Sequence, residues 1–180
     1  VKTWIVLLRG INVGGRNALP MKKLAQLLEG TGCREVTTYI QSGNVVMRSA
    51  FTDAVSLAKR IRACIAEGCG FEPQVMLLDQ KEFARAAAAN PFEQASANPK
   101  SVHLFFLAER PQKPNLESLE RVRTASEAFA LKGRVLYLHT PDGFGTSKLA
   151  ERIERDLGVA ATARNWRTVA TLLEMAKSLR

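Results

Sequence analysis

Glu35-Val36-Thr37-Thr38-Tyr39-Ile40, then Gln41-Ser42-Gly43-Asn44, then Val45-Val46-Met47-Arg48 is the stretch on which the fold turns. Two β-rich runs joined by four residues that include a glycine read as a hairpin. Upstream, Lys2 to Arg9 is a short apolar run that stops at Gly10, the pattern of a buried strand. Between them, Pro20 stands where the first turn of a helix tolerates it, and Met21, Leu24, Leu27 and Leu28 share one helical face. Gly30 and Gly32 close that element. Downstream, Thr52 reads as the cap of a second helix with the stripe Ala54, Ala58, Ile61 and Ile65, which Gly68 and Gly70 stop; Gln74–Leu78 is again a strand. The order β-α-β-β-α-β is that of a split βαβ, ferredoxin-like unit.

The rest of the chain reads as a second, degenerate unit. A helix over about Gln80–Ala89 leads into a loop from Asn90 to Lys100 with Pro91 and Pro99. A strand (Val102–Ala108), a helix from Asn115, strands near Ala128–Leu131 and Val135–His139, and a helix from about Thr146 follow. The order β-α-β-β-α carries the comparison, since no residue-level repeat does. A last helix from about Asn165 buries Trp166, Val169, Leu172, Leu173 and Ala176 and ends basic with Lys177 and Arg180. The expected fold is therefore α+β: a ferredoxin-like half over residues 1–80, a second over 81–180 with flanking helices, and an additional C-terminal helix.

Composition bounds the function. The chain has 180 residues, with 26 Lys and Arg against 17 Asp and Glu, a net charge of +9. Its apolar runs, of which Trp4–Leu8 is the clearest, are too short for a membrane span or a secretory core. Three cysteines without CxxC spacing fit a reduced, cytoplasmic setting, and with two histidines they make no zinc set. Ser42 is not in a GxSxG elbow and has no histidine near it in sequence. No reaction is assigned, no cofactor is implied, and whether the protein is an enzyme stays open.

The spacing of the acids points to a ligand. No Asp or Glu occurs from Val1 to Leu28, from Val36 to Thr52, or from Leu157 to Leu173. Positive potential there arises from missing acids as much as from added bases. In a split βαβ unit the exit of the first strand and the hairpin after the second lie at one sheet edge. That brings Arg9 to Asn17 beside Gln41 to Asn44. Gly14, Gly15 and Gly43 allow close backbone approach, Arg9 and Arg16 supply charge, and Asn12, Asn17, Gln41 and Asn44 supply directional amides, with Ser42 adding a hydroxyl. Glycine and asparagine also make tight turns for purely structural reasons, so that alternative stands beside the first.

Two further segments fit the same chemistry. Pro141 to Leu149 places Ser147 and Lys148 at a helix start, and Thr162 to Arg167 places Arg164 and Asn165 at another. Neither has Walker spacing. The expected ligand is a small anionic molecule, phosphorylated or nucleotide-like. The rivals are a single-stranded nucleic acid, for which Trp4 and Tyr39 are the first half's stacking candidates, and an interaction module without a ligand. No membrane partner is expected, and the oligomeric state is open.

Four segments together resemble one family of uncharacterised bacterial proteins, the domain of unknown function numbered 1697. They are Leu7 to Gly15 with Asn17, Pro20 and Met21; Tyr39 to Asn44; Pro141, Gly143, Gly145 and Ser147 to Leu149; and Arg164, Asn165, Trp166, Thr168 and Val169. Ala163 departs from the family's frequent threonine. The resemblance extends over nearly the whole chain and implies a cytoplasmic α+β protein with ferredoxin-like halves, but no activity.

Overall fold

The structure, a computed structural model, describes residues 1–179. In chain order the elements are β1 (Lys2–Arg9), α1 (Met21–Gly30), β2 (Arg34–Tyr39), β3 (Asn44–Ser49), α2 (Ala54–Cys69), β4 (Gln74–Asp79), α3 (Gln80–Ala88) and α4 (Gln94–Ala97). They continue with β5 (Val102–Leu107), α5 (Leu116–Val122), β6 (Ala128–Lys132), β7 (Val135–His139), α6 (Lys148–Leu157), β8 (Ala161–Asn165) and α7 (Trp166–Ser178). The chain divides into two compact units. One comprises residues 1–85 with the stretch from Thr171 onward, and the other residues 86–170.

The first unit carries a four-stranded sheet in the order β2-β3-β1-β4. Each neighbouring pair is antiparallel, so β1 and β2 run parallel with β3 between them, as the split βαβ reading requires. Alternation along β1 sends Trp4, Val6 and Leu8 into a core with Val45 and Met47 of β3, Leu24 and Leu28 of α1, and Leu57, Ile61 and Ile65 of α2. Burying each such leucine or isoleucine stabilises the unit by about 1.5–3 kcal/mol before chain entropy is counted. Ile5, Leu7 and Val46, which alternate with these residues, are fully buried as well. Strands covered on both faces read as continuous apolar runs, which is how Trp4–Leu8 looks in the sequence.

The second unit repeats the strand order as β6-β7-β5-β8, again antiparallel throughout. Its core joins Phe105, Leu107, Leu119, Leu136 and Leu138 to the α6 stripe of Leu149, Ile153 and Leu157. The fold is therefore α+β, two four-stranded antiparallel sheets with helices and a C-terminal helix, α7. Among the described residues no helix is long and apolar enough to cross a membrane.

Four local expectations need correction. Ala161–Asn165 is a strand, β8, where the sequence suggests a helix approach; Ala163 pairs with Phe105 and Arg164 with Leu104. The second unit is therefore complete as β-α-β-β-α-β. Asp53, not Thr52, caps α2, its carboxylate accepting from Val55 N at 3.3 Å and Ser56 N at 2.8 Å. α6 starts at Lys148 behind the cap Ser147, in keeping with the helix start expected near Thr146. The loop from Asn90 to Lys100 contains the short helix α4. In α7, Val169, Leu172 and Ala176 are buried, while Trp166 and Leu173 are only partly so. Arg180 lies outside the described residues.

Candidate functional site

The β2–β3 hairpin sits at the exit of β1, and the two are joined by backbone: Leu8 N donates to Gly43 O at 2.9 Å. Gly43 has φ +76, and a Cβ there would lie 2.6 Å from the Leu8 Cβ and 2.8 Å from the Ile11 Cδ1. Only glycine fits a left-handed position pressed that closely against a core strand. Ile11 and Leu19, both buried, anchor the ends of the first loop.

Between those anchors the chain forms a miniature hairpin. Val13 and Arg16 bridge, Arg16 N donating to Val13 O at 3.0 Å, and Gly14 and Gly15 take φ +58 and +73. Positive φ at both central residues is the mark of a type I′ turn. Asn12 and Asn17 flank it, also left-handed at φ +54 and +51, and Asn12 N donates to Asn17 O at 3.1 Å. Asparagine tolerates that region better than other side chains do.

The asparagine amides, expected to face a ligand, instead brace the loops. Asn12 Nδ2 donates to Leu19 O at 2.9 Å and to Gln41 O at 2.8 Å, while its Oδ1 accepts from Leu19 N at 2.7 Å. Asn17 Nδ2 donates to Gly10 O at 2.8 Å. Asn44, fully buried, donates to Tyr39 O at 3.2 Å and Ser42 Oγ at 3.0 Å. Arg9 donates to Gln74 Oε1 at 3.3 Å on the neighbouring β4.

What remains outward is specific. Every residue from Asn12 to Ala18 is exposed, as are Ile40, Gln41 and Ser42. Among the described residues nothing accepts a hydrogen bond from Gly14 N or Gly15 N, and the Arg16 guanidinium and the Gln41 side-chain amide have no partner. Val13 is 67% exposed and Ile40 51%. Ile40 also holds φ +49, a costly conformation for a β-branched side chain. Strain of this kind, of order 1–3 kcal/mol, gathers at binding sites.

The second unit uses its candidate residues differently. Ser147 Oγ accepts from Ala150 N at 3.1 Å and Asn165 Oδ1 from Thr168 N at 3.0 Å, so both are helix caps. Arg164 is buried and donates to Thr162 Oγ1 at 2.8 Å and Ala163 O at 2.9 Å, and burial pulls its pKa down to about 10. Lys148 is exposed at the first position of α6. His103 is buried with its ring stacked on Phe144, centroids 3.9 Å apart, and burial lowers its pKa to about 4. Among the described residues no group of three or more His, Cys, Asp or Glu could hold a metal ion.

Sequence reasoning missed one feature, a groove of about 760 Å3 between α1 and α2, lined among others by Leu27, Thr31, Lys59, Arg60, Cys64 and Glu67. The signal that could have found it is the exposed i+4 ladder Val55, Lys59, Ala63, Glu67, which looks like an ordinary solvated face.

The chain is similar in fold to the solved structure of the conserved bacterial protein SP0830 from Streptococcus pneumoniae, with a TM-score of 0.69 and 22% identity, covering 97% of this chain and 98% of that one. No curated protein matches it. The family model reaches residue 137, so the Pro141–Leu149 and Arg164–Val169 segments of the resemblance lie beyond it. With 137 of 180 residues matched, the chain belongs to the DUF1697 family, described as proteins of unknown function.

Proposed function

We propose that the loop cluster of the first unit binds a phosphate-bearing ligand. The observation that carries this reading is the set of unengaged donors, the N–H groups of Gly14 and Gly15, the Arg16 guanidinium and the Gln41 amide, on loops that contain no carboxylate. Consecutive backbone N–H groups in left-handed turns favour anions, and absent acids leave that preference unopposed. Asn12, Asn17 and Asn44 act by holding the two loops in register, and Gly43 by admitting the hairpin to the core. Arg9, bonded to Gln74, adds long-range charge.

In a thermal-shift assay at matched ionic strength, pyrophosphate or a nucleoside triphosphate raises the Tm and chloride does not. Saturation at a hundred times Kd stabilises the native state by about 2.7 kcal/mol. Arg16→Ala weakens the effect about threefold to tenfold, as loss of one exposed charge-assisted contact should. Equal response to all salts contradicts the proposal.

A single-stranded nucleic acid is the second reading, supported by the exposed run Asn12–Ala18 with Val13 and Ile40, which suits an extended partner. Trp4 cannot offer a stacking face: it is 2% exposed and its indole donates to Phe51 O at 3.2 Å. Such binding would rest on phosphates and fall steeply with salt.

A further inference from the structure

The solvent face of α2 carries Val55, Lys59, Ala63 and Glu67 at intervals of four residues, all exposed. Val55 is 75% exposed, a large apolar side chain left in water near the start of the helix. Neither charge finds a counterion on its own helix. The residue four after Lys59 and the residue four before Glu67 are the same one, Ala63. Among the described residues, Lys59, Arg60 and Glu67 take part in no ion pair. Beside this ladder runs the α1–α2 groove, with Gln26, Leu27, Gly30 and Thr31 on its α1 side.

The spacing is self-complementary. Two antiparallel α2 helices crossing at Ala63 place residue 63 + k of one opposite residue 63 − k of the other. Glu67 then meets Lys59 of the second copy, and Lys59 meets its Glu67, with a methyl group at the crossing point where the helices must come closest. A two-fold axis makes both contacts at once, which is the property of an isologous interface. We infer that the α2 face, centred on Ala63 and flanked by the α1–α2 groove, is a homodimer interface whose occupant is a second copy of this chain. The opposite charges specify register and orientation, and the groove receives the second copy's α2 side chains.

The test is a charge-swap series read by sedimentation velocity and light scattering. The unmodified protein sediments as a dimer. Lys59→Glu combined with Arg60→Glu makes the face wholly acidic, and Glu67→Lys makes it wholly basic, so each variant dissociates at least about tenfold more readily. An equimolar mixture of the two restores the dimer, because each acidic face now meets a basic one. All three positions are exposed, so circular dichroism spectra stay unchanged. A monomeric unmodified protein at millimolar concentration, variants as dimeric as the parent, or a mixture no more associated than its components would each overturn the inference.

Discussion

The Asn12 amide nitrogen donates to the Gln41 carbonyl at 2.8 Å, tying together two loops that lie 29 residues apart. The same side chain makes two more bonds, to Leu19 N and Leu19 O, and so sets the separation of the first-strand loop from the hairpin. The candidate site owes the spacing of its two loops to this residue.

Asn12→Ala should therefore destabilise the protein by about 2–3 kcal/mol. Three hydrogen bonds are lost, the partly buried Leu19 N is left without its acceptor, and alanine is disfavoured at φ +54. Urea denaturation with an unchanged m-value measures the loss, and a change below about 0.5 kcal/mol would show that the loops hold their register without it.

Gly43 and Gly14 separate close approach from backbone conformation. Both have positive φ, but a Cβ at Gly14 meets nothing within 4 Å, whereas one at Gly43 meets Leu8 Cβ at 2.6 Å. Gly14→Ala costs about 1–2 kcal/mol, the left-handed penalty alone. Gly43→Ala costs about 3 kcal/mol or more, since strand and hairpin must also part. Equal costs would mean that the hairpin moves away freely.

His103 sets a pH dependence. Its folded-state pKa of about 4 lies below the unfolded value of about 6.5, because burial disfavours the charged ring. Between those values the unfolded state binds the proton and the native state does not. Stability therefore rises with pH across this window and is lost as pH falls through it, by roughly 2–4 kcal/mol in all. His103→Phe, compared with the parent by urea denaturation at pH 4 and pH 7, should remove that part of the slope. Parallel pH profiles would place the ring in water in the native state.

Arg164 offers a test of which arginines are structural. Arg164→Ala leaves the buried Thr162 hydroxyl and the Ala163 carbonyl without their donor and opens a void, so about 2–4 kcal/mol of stability is lost. Pyrophosphate affinity of the folded fraction stays the same. Selective loss of affinity at full stability would return Arg164 to the ligand site.

Much of the fold was legible because its strands announce themselves in different ways. Trp4–Leu8 is apolar on both faces, and the Gln41–Asn44 connection fits only a hairpin. β8 was not legible: Ala161-Thr162-Ala163-Arg164-Asn165 has small and polar side chains, and its strand conformation comes from pairing with β5 rather than from propensity. Asp53 and Thr52 are both good caps, and the extended backbone at Asp53 immediately before the helix, not residue type, selects between them. For the site, the loops could be brought to one edge by topology alone. Which acceptor an asparagine finds depends on carbonyls distant in sequence, so the bracing role of Asn12, Asn17 and Asn44 could not be read in advance. The α2 ladder is not legible in the sequence because Lys59 and Glu67 are ordinary exposed charges that acquire meaning only about Ala63.

The proposed anion site rests most on the backbone donors at the tip of the first loop. In a pyrophosphate titration followed by proton–nitrogen correlation spectra, the Gly14 and Gly15 amide signals should shift furthest and saturate together, with Arg16 and Gln41 side-chain signals following. Saturable shifts centred elsewhere on the molecule, or none at these two glycines, would contradict it.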